Sequence, residues 1–80
     1  MAGPRLTAER RRALEMLAAD RQGTSEALML AHGLTRRMLT GLVRAGVAMQ
    51  YRLPVRAGGR TVVVTHMMIT AAGRCALGEG

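Results

Sequence analysis

Leu28-Met29-Leu30-Ala31-His32-Gly33-Leu34-Thr35-Arg36-Arg37-Met38-Leu39-Thr40-Gly41-Leu42-Val43-Arg44 divides into two short helices around one glycine. Gly33 is the stop of the first, because a helix that ends in a tight turn needs a residue tolerating positive φ. Thr35 is placed to cap the second, which runs to about Ala45 and ends at Gly46. At about 100° per residue, Leu39, Leu42 and Val43 fall together and must face a core. Arg37, Thr40, Gly41 and Arg44 fall on the other side, with Arg36 at the flank.

Upstream, Thr7 caps a first helix with Glu9 in its first turn, near the positive end of the helix dipole. Ala13, Leu14, Leu17 and Ala18 form its apolar stripe, and it ends near Asp20 or Arg21, before Gln22-Gly23. Thr24 or Ser25 caps helix two, with Glu26 in its first turn and Ala27, Leu28, Leu30 and Ala31 as its apolar face.

Downstream the period changes to two. Val47, Met49, Tyr51, Leu53 and Val55 alternate with Ala48, Gln50, Arg52 and Pro54, which predicts a strand with the first set buried. Pro54 confines it to an edge or to the strand's end. Arg56-Ala57-Gly58-Gly59-Arg60 reads as a hairpin tip and Thr61 to Met68 as the β-branched return strand. Thr70 then caps a short closing helix, Ala71 to Leu77. Residues 1–5 read as a flexible tail, 6–77 as one domain and 78–80 as a second tail.

The order helix, helix, helix, strand, strand, helix resembles the winged-helix group of helix-turn-helix domains over nearly the whole chain. Two stretches carry the resemblance. One is Leu30-Ala31-His32-Gly33-Leu34-Thr35 running into Leu39, Leu42, Val43, Gly46 and Val47. The other, Ile69-Thr70-Ala71-Ala72-Gly73-Arg74-Cys75-Ala76-Leu77, is similar to the segment after the wing in small bacterial regulators of the MarR and PadR families. Two positions depart from the usual pattern: Met29 replaces a small residue four before the glycine, and His32 an apolar one just before it. The resemblance implies an α+β winged helix-turn-helix: a three-helix core, a two-stranded β-hairpin wing and a short C-terminal helix.

It also implies double-stranded DNA binding and a role in bacterial transcription regulation. Twelve arginines, no lysine and five acids leave a net charge of +7, a balance that attracts polyanions. Arginine's fork of donors suits phosphates and guanine edges. Helix three carries Arg36, Arg37 and Arg44 and no acid. Arg37, Thr40 and Arg44 are expected in the major groove, and Thr35 and Arg36 on phosphates. Arg52, Arg56 and Arg60 in the hairpin are expected on the flanking backbone or minor groove. Arg10-Arg11-Arg12 reads instead as a solvated face, with Arg11 and Arg12 in reach of Glu15.

Other chemistry finds less support. His32, His66 and Cys75 are scattered and show neither catalytic clustering nor metal-ligand spacing, so no enzyme, metal or cofactor is expected. His32 reads as a turn residue packed at the end of helix two, and Cys75 as a small buried hydrophobe. A single aromatic, Tyr51, makes no stacking platform for single strands. No apolar run approaches a membrane span, no small-molecule ligand is evident, and the lone cysteine with no signal-like start fits the cytoplasm. A homodimer on a two-fold site, joined through helix one and the closing helix, would suit so small a domain. The rival expectation is a protein-interaction module in a larger assembly, marked by an apolar patch at Met38, Met49 or Met67.

Overall fold

The computed structural model describes residues 6–78; the two tails expected at 1–5 and 79–80 lie outside the described residues. Four helices and three strands follow in the order α1 (Ala8–Ala18), β1 (Thr24–Ser25), α2 (Glu26–Ala31), α3 (Arg36–Arg44), β2 (Ala48–Ala57), β3 (Arg60–Ile69) and α4 (Ala71–Ala76). The result is a small α+β domain built on one antiparallel sheet of order β1-β3-β2.

Each helix starts where a hydroxyl meets free N–H groups. The side chains of Thr7, Ser25, Thr35 and Thr70 accept from the backbone N–H of Arg10, Leu28, Met38 and Gly73, at 3.1 to 3.2 Å. The helices α2 and α3 end alike. Gly33 and Gly46 adopt φ of 93° and 78°, and the next residue's N–H returns to a carbonyl five back: Leu34 to Met29 and Val47 to Leu42, both at 3.2 Å. This double closure satisfies carbonyls the helix leaves open and turns the chain sharply, so α3 follows α2 after a four-residue turn.

In the elements themselves, three expectations change. First, Thr24 and Ser25 are more than a helix start: they pair with Met67 and His66 as a third strand, so the element order differs from the one expected. Two residues carry no period of their own; pairing with β3 defines them. Second, α2 is turned on its axis. Met29 is fully buried, while Ala27, Leu28 and Ala31 are exposed and Leu30 is half-buried. Third, the set Met49, Tyr51, Leu53 and Val55 is not a buried face. These residues stand on the pleat face opposite Ala48, away from the helices, so Met49, Leu53 and Val55 are exposed and Tyr51 is half-buried.

The core joins Leu14 and Leu17 of α1, Met29, Leu34, Leu39 and Leu42 to Val47, Ala48, Met67 and Ile69. Ala48, Met67 and Ile69 share one pleat face, so the helices all lie on that face. α4 closes the end. Thr70 donates its hydroxyl to the Gly46 carbonyl at 2.6 Å and its N–H to Val47 at 3.1 Å, and Gly73 is buried against the Val47 backbone. With Gly73 inward, Cys75 falls outward and is exposed, contrary to expectation. The paired strands β2 and β3 project as a ribbon, giving the molecule extents of 51 × 22 × 20 Å.

Candidate nucleic-acid interface

The helix α3 meets the core with Leu39 and Leu42, and half-buries Met38 and Val43. Arg36, Arg37, Thr40 and Arg44 are exposed in one arc of the wheel, as expected. Gly41 differs. It is half-buried beneath Arg10 of α1, and a β-carbon there would sit 2.8 Å from an Arg10 guanidinium nitrogen. The α1 arginine therefore lies along one margin of the arc. Arg11 and Arg12 form no ion pair with Glu15.

At the start of α3, two surroundings meet. Thr35, Arg37 and Met38 border a shallow cleft with Thr7, Glu9 and Arg10 from the start of α1. On the other side Arg36 borders a groove with Glu26 and Leu30 of α2 and Val63 and Thr65 of β3. Arg36 Nε lies 3.6 Å from a Glu26 carboxylate oxygen, but its side chain remains 78% exposed. An exposed pair of this kind contributes little stability, so most of the guanidinium's donors still face solvent. The Thr35 hydroxyl is engaged as the α3 cap, and only its second lone pair and the neighbouring N–H groups of the first turn face outward.

The ribbon separates the arginines expected at its tip. The turn is only Gly58-Gly59, with φ of 59° and 78°, the conformation that matches the twist of the strands it joins. Arg56 and Arg60 are thus inside the strands, opposite Thr61 and Ala57. Paired residues share a face, and faces alternate along each strand. Arg52 and Arg56 stand on the face that carries Ala48, Met67 and Ile69, the side on which α3 packs. Arg60 stands on the other face, with Val62 and Val64. The side holding α3 therefore gathers Arg36, Arg37, Thr40, Arg44, Arg52 and Arg56, and Arg60 is directed away from them.

Sequence reasoning missed one polar cluster, and it is structural. Tyr51 and His66 oppose each other across β2 and β3, with ring centroids 5.4 Å apart. The Tyr51 hydroxyl and His66 Nε2 both reach the Gln22 carbonyl, at 3.1 and 3.0 Å. A carbonyl only accepts, so both groups donate, and the Nε2–H tautomer of His66 is the one that fits. The pair pins the turn after α1 to the sheet. Two aromatics at non-adjacent sequence positions with matching hairpin register were the signal that would have found it. His32, the last cap of α2, is exposed rather than packed.

Among the described residues, no group of three or more His, Cys, Asp or Glu side chains is placed to hold a metal ion. No helix among them is long and apolar enough to cross a membrane. Compared with protein-family models, with curated proteins and with solved structures, the chain shows no significant match.

Proposed function

We propose that the chain is a winged-helix domain that binds double-stranded DNA and serves as a bacterial transcriptional regulator. In this reading the ribbon is the wing, and β1 is the short strand that ties the start of α2 to it. The helix α3 enters the major groove with Arg37, Thr40 and Arg44 toward base edges. Arg36 and the first turn of α3 meet phosphates, and Arg52 and Arg56 follow the flanking backbone.

One observation carries the reading. The exposed arc of α3 holds three arginines and no acid, and the ribbon adds Arg52 and Arg56 on the same side of the sheet. A face arranged only for solubility has both signs interspersed. Titrating labelled protein with a duplex while recording amide NMR shifts tests it. The proposal requires α3 and the inner face of β2 to respond together; a response limited to α1 or to the outer ribbon face would overturn it.

A second reading has its own support. A module that binds another protein would use an apolar patch, and Met49, 47% exposed, shares the outer face of β2 with Leu53 and Val55, across the Tyr51–His66 rung. Met67, by contrast, is fully buried and Met38 half-buried, so neither belongs to such a patch. The same titration with DNA separates the two, since a protein-binding module leaves α3 unmoved.

A further inference from the structure

Two residues on facing helices each break a local preference, and they meet one another. Arg10 stands in the first turn of α1, its N–H held by the Thr7 hydroxyl at 3.1 Å. That end of a helix carries positive partial charge, so a cation there is disfavoured. The side chain is half-buried, and among the described residues no ion pair or hydrogen bond engages its guanidinium. Glu9 borders the same cleft without pairing with it. Gly41 is the counterpart. It sits inside α3, where glycine costs about 1 kcal/mol relative to alanine. Its backbone is ordinary helix, with no positive φ that would require a glycine. Outside its own helix, the only described atoms within 4 Å of its missing β-carbon are those of the Arg10 guanidinium, at 2.8 and 3.7 Å. The packing gives neither helix the residue it prefers. Local conflicts of this kind, with no structural return, concentrate at functional sites.

We infer that Arg10 is a further phosphate contact of the DNA interface, held against α3 by the absence of a side chain at Gly41. The inference rests on the reading of α3 as the helix in the major groove. At about 100° per residue the order around α3 is Arg36, Thr40, Arg44, Arg37 and then Gly41. Arg36 bounds this arc on the ribbon side, beside Val63 and Thr65 of β3. Arg10 bounds it on the far side, in the cleft it shares with Arg37. A helix in the major groove lies between two phosphate strands, one at each wall. Arg36 and the ribbon arginines lie toward one wall, and Arg10 is the cation placed for the other. Its five N–H donors are open to a phosphate oxygen, with which an arginine fork makes charge-assisted bonds.

The run Arg10-Arg11-Arg12 is therefore not one solvated face. Arg12 borders a separate cleft with Glu15, Met16 and His32, and Arg11 is exposed. Only Arg10 reaches α3.

Anisotropy titration of a random-sequence duplex with the full chain, over a salt series, tests the inference. Arg10→Gln should raise the dissociation constant about eightfold at about 0.1 M salt and reduce the logarithmic salt slope by about 0.9, the value of one phosphate contact. Its Tm should not fall, whereas loss of a merely structural arginine would lower both. Arg12→Gln removes the same charge and should keep the parent slope. Gly41→Ala displaces the guanidinium, so it should weaken binding in the parent and do nothing further in the Arg10→Gln background. Should Arg10→Gln fail to fold by circular dichroism, Gly41→Ala decides, because it keeps every charge and should bind more weakly while melting higher. A parent chain that binds no duplex refutes the DNA reading, and this inference with it. A parent that binds while Arg10→Gln keeps its affinity and slope refutes the inference alone, as do equal losses in Arg10→Gln and Arg12→Gln.

Discussion

Two glycine-to-alanine substitutions should move stability in opposite directions, because the structure gives the added methyl different neighbours. Gly73 lies in α4, and a β-carbon there would press on the Val47 carbonyl and come within 2.6 Å of Ile69 Cγ1. Neither neighbour can yield cheaply. The Val47 carbonyl accepts the Thr70 N–H at 3.1 Å, and Ile69 belongs to the core. Alanine's helical preference returns at most about 1 kcal/mol, whereas overpacking against a fixed backbone costs about 1–3 kcal/mol. Gly73→Ala should therefore be destabilised by about 1–2 kcal/mol, a fall of roughly 5–15 °C in Tm for a domain of this size. Gly41 also sits in a helix, but its β-carbon would meet only the mobile end of Arg10, at 2.8 Å. That guanidinium can swing into solvent, so Gly41→Ala should gain about 0.5–1 kcal/mol. Thermal and urea unfolding followed by far-ultraviolet circular dichroism reads both. A Gly73→Ala chain as stable as Gly41→Ala would refute the seating of α4 on the Val47 strand end.

The rotation of α2 predicts a second contrast: Met29→Ala should lose about 2–5 kcal/mol of unfolding free energy, and the neighbouring Leu28→Ala under about 0.5 kcal/mol. Denaturant midpoints at unchanged slope would show it, and equal losses would return Leu28 to the core. On the proposed interface, Arg37→Ala and Arg44→Ala should each weaken a specific duplex by about 1–3 kcal/mol, measured by anisotropy, while leaving Tm in place. Parent-like affinity in both would remove α3 from the groove. Arg52→Ala with Arg56→Ala should lower the affinity for any duplex and flatten its salt dependence by about two contacts, and Arg60→Ala should change it less. If Arg60→Ala has the larger effect, the two ribbon faces have been assigned the wrong way round.

The places where the sequence was legible share a physical cause. Thr7, Thr35 and Thr70 cap helices because hydroxyls compete for free N–H groups locally, and Gly33 and Gly46 stop them because the turn demands positive φ. These are decisions taken within a few residues. The exposed arginine arc of α3 was readable for a similar reason, since nine residues with a strong period fix their own phase. By contrast α2 offers Ala27 to Ala31 as five consecutive apolar residues, which carry no phase, and only contact with β3 selects Met29. β1 is two residues long and exists by pairing.

The alternation in β2 showed a pleat correctly but not which side has a second layer. That depends on which face of the hairpin the helices pack against and how far it extends past them, which no local pattern records. The separation of Arg56 from Arg60 has the same origin. Both flank the glycines symmetrically in sequence, and only the two-residue turn and its register send them to opposite faces.

The measurement closest to the central claim is a fluorescence-anisotropy titration with random-sequence duplex DNA at two salt concentrations. With Arg36, Arg52 and Arg56 alone on phosphates, affinity should fall about fortyfold between roughly 50 and 200 mM salt, a logarithmic slope of about −2.7. Absence of binding at the lower salt, despite a net charge of +7, or an affinity that salt leaves unchanged, would contradict the account.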